Sequence, residues 1–557
     1  MEETLFMLAR KKAINRSSLA FIALLSLVSC GGGNEGGNSV KPNTSGGNSG
    51  TQIIDDANSI LDISTLAEDV VKDEKGAPEF NEQINLKAWC VIGDPDKQTY
   101  VKLIQKFNDE FLGQIHVDVT YVGHFDFYSN LDTTWQNERE GMPDFLVMHN
   151  EKTAQYADQG MLYPIDKLLG DPTGVNIDFS QAYDNINRTA QYGGHQFAIP
   201  MDAHGFLTYF RQDIIKKNKL GFDDNTRFIP NSRAEYQTLL EKLLEKAKAG
   251  TLMVRNINKG EDHSWKPANA STFVPEFMQS TDPDGLSSLY ANGGSMAVRD
   301  ENGDIKVTFQ NNEGYKTYVT DQVDRYNNGL MGDKCGTNTE GFGNGSCVMF
   351  NEGPWWASSQ YSLAWNLPEL TAVNTNLNVS AEDAADPVIS KPFAAAHADG
   401  WWSLNDAPEA TRRKWYGNGH AVSITRHVDS MQKVAAILSF TNWFVQGKDA
   451  STGEYNLAEW SNSGHIPAWK NVYESEEYKR YCERNVTLKA LGDPADIMAM
   501  ESLRDETLIF NAVATGVSAT HEALKSSEGC TKERALQIIA ETAQSAQEAI
   551  DMAHIFD

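Results

Sequence analysis

The side chains best suited to binding chemistry are tryptophans and polar groups placed at strand ends. After Asn351-Glu352-Gly353, Pro354 is well suited to open a helical turn, which sets Trp355 and Trp356 at its head. Indole planes fit the apolar faces of sugars and other flat ligands, although such a pair can equally pack a helix into a core. A second polar group, Asp202-Ala203-His204-Gly205, interrupts two apolar runs, Phe197, Ile199, Met201 and then Phe206, Leu207, Tyr209, Phe210. Pro200 lies inside the first run and makes it an edge or a crossing segment. At a crossing between domains, Asp202 and His204 would face a cleft, where small ligands bind. The alternative is an ordinary strand-turn-strand in one core.

Other candidate motifs fail on inspection. Asp300-Glu-Asn-Gly-Asp304 imitates the start of a calcium loop, but Ile305 stands where glycine is needed and Asn311 where glutamate is needed, so it reads as a hairpin turn. Gly341-Phe-Gly343-Asn-Gly345 leads into a strand and is no dinucleotide fingerprint, and there is no Walker A motif. Asp202 and Glu352 could be imagined as the carboxylate pair of a glycoside hydrolase, but sequence gives no separation between them, and capture without chemistry is the simpler reading. No catalytic residue, metal ligand or cofactor is assigned.

The elements that position these groups are those of an α/β protein. Ile84, Leu86, Ala88, Cys90 and Ile92 alternate as a strand, Tyr100–Phe111 has helical spacing, Ile115 to Tyr121 alternates again, and Asp144–Met148 reads as a short buried strand. Strand alternating with helix predicts a largely parallel sheet, whose ligands sit beyond the carboxyl ends of the strands. That places Gly93, Asp94, His149, Asn150 and Glu151 on the binding edge. Trp89, on the strand feeding the first loop, is either an addition to the site or a core residue. Downstream the pattern predicts helices over Tyr236–Ala249, Met431–Val445 and most of 531–557, and strands over Ser346–Phe350 and 419–425. Trp401-Trp402 reads equally as core or as a subsite.

The 557 residues carry 48 Lys+Arg against 76 Asp+Glu, a net charge of −28, which disfavours a nucleic-acid partner. At the N-terminus, Arg10, Lys11, Lys12 and Arg16 precede a short apolar run from Leu19 to Val28, a signal-peptide pattern. It ends in Leu27-Val28-Ser29-Cys30, which resembles a lipoprotein signal with Cys30 lipidated. Residues 1–29 are then the signal and 30–83 a flexible tether, Gly-, Asn- and Ser-rich to residue 50, then acidic, with a short helix around Ile60–Val71. Of the other five cysteines, Cys335 with Cys347 and Cys482 with Cys530 are possible disulfides, which leaves Cys90 free. None has metal-ligand spacing, and pairing is not legible in sequence.

Taken in order, these pieces resemble the extracellular solute-binding proteins of ABC importers, in their sugar-binding group. The resemblance runs over about residues 84–557. It rests on Phe107-Asn108, Pro143-Asp144-Phe-Leu-Val, Leu162-Tyr-Pro-Ile-Asp166, Phe197-Ala-Ile-Pro200, Tyr209-Phe210-Arg211-Gln212-Asp213, Tyr290-Ala-Asn-Gly-Gly294, Met349-Phe-Asn-Glu-Gly-Pro-Trp355, the strand Ala421–Thr425 with its helix, and Gly464-His-Ile-Pro467. It implies a two-lobed, type II periplasmic-binding-protein-like α/β fold, with discontinuous lobes at 84–201 plus 418–470 and 202–417 plus 471–557, joined by a hinge. It implies a monomer, extracytoplasmic and held to the membrane by its N-terminal lipid. That monomer would capture a carbohydrate, without a cofactor, and deliver it to ABC permease subunits. Carried over position by position, Trp355 stacks on sugar, His204 takes the place of a hinge carboxylate, Asn150 and Glu151 grip hydroxyls, and Asp94 lies on the first strand-end loop. Met148 replaces a stacking tryptophan, which counts against a maltodextrin. A non-sugar solute such as glycerol phosphate, a secreted glycoside hydrolase and an adhesin remain as rivals, though the site loops are short of the Arg and Lys that a phosphate needs.

Overall fold

In the computed structural model, residues 57–554 are described, apart from 68–69, 138–140, 279–282, 358–367, 397–398 and 500–502. The signal segment, Cys30 and most of the tether lie outside the described residues. The chain lays down β1 (Ile84–Cys90), α1 (Lys97–Glu110), β2 (Ile115–Tyr121) and β3 (Phe145–His149). It then runs through β4 (Ile199–Pro200), β5 (Asp202–Gly205) and β6 (Leu207–Phe210) into α2 (Arg233–Lys248). Next come β7 (Val274–Phe277), β8 (Met331–Gly332), β9 (Cys347–Glu352) and β10 (Ala394–Ala396). It returns through β11 (Trp415–Asn418) and β12 (His420–Ile424) to α3 (Met431–Val445). It ends with β13 (Ile466–Pro467), β14 (Ile497–Ala499), α4 (Glu506–Lys525) and α5 (Lys532–Ala553).

Two five-stranded sheets organise the two halves, in the orders β2-β1-β3-β12-β4 and β8-β7-β9-β6-β10. Each is mixed rather than largely parallel: β1 pairs parallel with β2 and β3, and β7 with β8 and β9, while the strands arriving from the far half run antiparallel. Returning strands enter a sheet from the opposite direction, which local periodicity does not encode. Pro200 sits on the edge strand β4, as a residue without an N–H donor must. Alternation along β1 buries Leu86, Ala88 and Cys90 against α1 and α3, and the opposite face of β3 packs Leu146 and Met148 under Phe127 and Tyr156. In the second sheet, Tyr209 and Phe210 split between the two faces in the same way.

Between these sheets lies a third, of four short strands ordered β13-β5-β11-β14. It contains the strands on which the chain first passes outward, β5, and first returns, β11. Close packing there requires glycine twice. A Cβ on Gly205 would lie 1.8 Å from the Trp415 ring, and one on Gly419 would lie 2.0 Å from the Asp202 carbonyl oxygen.

Two further expectations need correction, the helix near residue 60 and the disulfides, while the core reading of Trp401-Trp402 and the turn at 300–304 hold. The helix near residue 60 covers only Ala57–Ile60, and Ala67 instead bridges to Ser430. All five described cysteines are free thiols: Cys335 and Cys347 are neighbours, whereas Cys482 and Cys530 belong to different hydrophobic clusters. Trp401 and Trp402 are core residues, 2% and 4% exposed, with Trp401 stacked on Tyr236 at 5.5 Å. The 300–304 turn is a hairpin closed by the Asp300 carboxylate, which accepts the N–H groups of Asn302 and Asp304.

Because backbone must move to admit a methyl group at either hinge glycine, Gly205→Ala and Gly419→Ala should each cost about 1–3 kcal/mol of stability. Urea unfolding checks this, and a loss below about 0.5 kcal/mol would contradict the packing.

Candidate functional site at the hinge

Strand register assembles the site. In the hinge sheet Asn418 faces His204 and Pro467 faces Asp202, while in the first sheet His420 faces His149. Asp202, His204, His420 and His465 thereby converge from three separate stretches of chain, with one potential ligand atom from each lying within 4.8 Å of the others. The His204 ring lies 5.0 Å from those of both His420 and His465, and His420 lies 5.3 Å from His465. Trp460 stacks on His465 at 4.8 Å.

Asp202 is fully buried. It accepts bonds from the His420 backbone N–H at 3.1 Å, His420 Nδ1 at 3.0 Å and Trp460 Nε1 at 2.6 Å. Burial opposes its ionisation, but His420 and His465 outweigh burial and hold the carboxyl well below the usual range. Burial likewise lowers the His204 and His465 imidazoles, His465 far below its ordinary value. Burial thus disfavours the charged forms of His204 and His465 around a carboxyl that favours its charged form. His204 Nδ1 lies 3.5 Å from Asp202 Oδ1 and forms no hydrogen bond. Asp96, on the loop after β1, comes within 3.8 Å of His465 Nε2, and burial followed by repulsion from Asp202 pushes its carboxyl well up.

Of the residues singled out in sequence, Asp202, His204, Trp355, Asn150 and Glu151 fall around this centre. Trp355 is half-buried, its ring edge-to-face with His204 at 5.8 Å and with Phe206 at 5.6 Å. Asn150 and Glu151, with Ala203 and Asn418, line a cavity of 10 Å³, room for about one water. Asp94 is exposed on the loop that carries Asp96. Trp89 packs with the outer cluster under β3, Trp356 lies on Phe350 in the core, and Glu352 accepts the Gly353 N–H at 3.0 Å. A larger groove of 600 Å³ lies elsewhere, along α2 and Trp401-Trp402. His420, His465, Trp460 and Asp96 were not picked out from sequence. The available signal was the repeated Gly-His pair at 419–420 and 464–465, in segments that bound the crossings.

The chain matches no protein-family model and no curated protein sequence. Its fold is shared with solved structures. The GacH receptor of Streptomyces glaucescens, solved unliganded and with acarbose, is 14% identical with a TM-score of 0.59, over 84% of this chain and 99% of that one. An ABC substrate-binding protein of Listeria monocytogenes in complex with cycloalternan is 12% identical with a TM-score of 0.57, over 86% and 100%. Maltose-bound MalE3 of T. maritima is 16% identical with a TM-score of 0.55, over 83% and 99%. The fold is that of a type II periplasmic binding protein. In this fold the third sheet is the hinge, and the histidine centre lies on it. Among the described residues no helix is long and apolar enough to cross a membrane.

Beside the hinge, α4 brings buried Glu506 to Glu151, with Lys152 as the nearby cation and Tyr128 and Tyr416 close by. Neither Glu506 carboxyl oxygen has a hydrogen-bond partner. Burial first and Glu151 second push its carboxyl well above the ordinary 4.5. A raised acid holds its proton more tightly when folded, so its stabilisation is full below the ordinary range and is lost as pH rises through the raised value. Glu506→Gln should therefore flatten the fall in stability as pH rises above the ordinary carboxylate range and raise the melting temperature at neutral pH by about 1–3 °C. Thermal melts over that rise in pH check it, and an unchanged slope would contradict it.

Proposed function

We propose that the protein captures a carbohydrate, an oligosaccharide in particular, between its two lobes and hands it to an ABC permease. The observation that carries this reading is Trp355, a half-buried indole at the hinge beside His204 and Phe206, in a fold whose solved neighbours include proteins with acarbose, cycloalternan and maltose bound. Its face would cover sugar C–H groups while Asn150, Glu151 and His204 exchange hydrogen bonds with hydroxyls. Asp94 and Glu352 would join from the rim, whereas Asp202 acts from beneath by fixing His420. A ligand touching both lobes stabilises the closed form over the open one, and the permease would dock that form.

The lobes are taken as 84–201 with 418–470 and 202–417 with 471–557, and the anchor as a lipid on Cys30. Binding without catalysis is favoured over glycoside hydrolysis because Asp202 has both oxygens engaged inside the protein and offers no free acid or base. A phosphate-bearing solute is disfavoured because, among the described residues, no Lys or Arg lines the cavity at the hinge.

Titration with a panel of mono- and oligosaccharides, read by tryptophan fluorescence and calorimetry, tests the reading. One sugar class should bind saturably, and Trp355→Ala should weaken it by at least about tenfold, a stacking contact worth about 1–3 kcal/mol. Folded protein that answers no sugar, or binding indifferent to Trp355→Ala, would contradict it.

A further inference from the structure

We propose that Asp202, His204, His420 and His465 form a binding site for one divalent transition metal ion, zinc foremost, which staples the hinge. The four residues are 0%, 6%, 6% and 1% exposed, and their ligand atoms lie within 4.8 Å of one another. A tetrahedral zinc site with bonds of about 2.0–2.1 Å places its ligand atoms about 3.3 Å apart, so small side-chain rotations would close the set onto a metal. Three imidazoles and a carboxylate are a donor set zinc accepts, the ion taking the place of the His420 Nδ1 contact on Asp202. The buried Nδ1 of His204 faces Asp202 Oδ1 at 3.5 Å, too long for a good hydrogen bond, and an ion between them would satisfy both atoms. A buried polar atom left unpaired costs stability, and a metal removes that cost.

The surroundings are those of a supported metal centre. Trp460 Nε1 holds Asp202 Oδ2 at 2.6 Å, and the Ser463 hydroxyl lies 3.4 Å from His465 Nδ1. Such outer contacts orient ligands and sharpen affinity. Each element bearing a ligand is bound to the hinge. Asp202 and His204 lie on β5, His420 opens β12 directly after β11, and His465 immediately precedes β13, which pairs with β5. One ion would therefore tie the outward crossing, the return and the flanking strand together. Its binding free energy would add to the stability of the assembled hinge. The rival reading is a metal-free hydrogen-bonded histidine cluster.

The test uses purified protein freed of any affinity tag and stripped with EDTA, titrated with Zn²⁺ alone. The expected result is one equivalent bound by calorimetry and by metal analysis, with a rise in melting temperature that EDTA reverses. His204→Gln and His465→Gln should each weaken binding at least about tenfold. His116→Gln, at an exposed position on β2, should leave binding unchanged. Absence of stoichiometric binding, or binding unaffected by both centre substitutions, overturns the proposal. Should those variants misfold, X-ray absorption of the zinc-loaded unsubstituted protein decides. Several imidazole nitrogens at about 2.0–2.1 Å support the site, and an all-oxygen shell overturns it. No sugar enters this experiment, so its failure leaves the carbohydrate reading untouched.

Discussion

The Asp202 carboxylate is the constraint on which the hinge depends. It is fully buried, and a buried charge is tolerable only when its lone pairs are filled. His420 fills them from the start of β12 and Trp460 from the helix Asn456–Trp460. One side chain on the outward crossing thereby fixes the position of two segments more than two hundred residues away. Deleting either donor would leave an uncompensated charge, so this polar knot specifies which strands lie side by side as much as it adds stability.

The lobes obey a different rule. Their cores are apolar sheet faces under amphipathic helices, a packing that many sequences satisfy. The centre between them is polar, tight and intolerant of side-chain volume, as Gly205 and Gly419 show. Such a division suits a binding protein. Two rigid bodies can be stable by themselves, while the narrow seam between them holds strained or unpaired groups that respond to a ligand or an ion. His204, Asn150, Glu151 and Glu506 are all of this kind, each with a buried polar atom lacking a partner.

Much of this was legible in sequence, and the boundary follows physical lines. Helices with clean periodicity were recoverable: α3 begins and ends where its apolar spacing does, and α1 and α2 differ from expectation only at their ends. Pro200 announced an edge strand and the break at Asp202–Gly205 announced the crossing, because both are local backbone effects. Sheet direction was not legible, since β12 and β6 reach their sheets from the opposite half. The histidine centre was invisible for the same reason. His204, His420 and His465 are separated by long stretches of chain and have no metal-ligand spacing, so only register brings them together. Trp356 and Trp401-Trp402 show the converse, since an aromatic pair in sequence does not reveal which ring faces solvent.

Small-angle X-ray scattering of the protein with and without the tightest oligosaccharide ligand tests most directly that this is a two-lobed capture device. The account predicts a ligand-dependent contraction that saturates with binding, because a sugar bridging Trp355 and the Asn150–Glu151 loop draws the lobes together. Scattering curves that superimpose at saturating ligand would contradict it and leave the hinge a rigid seam.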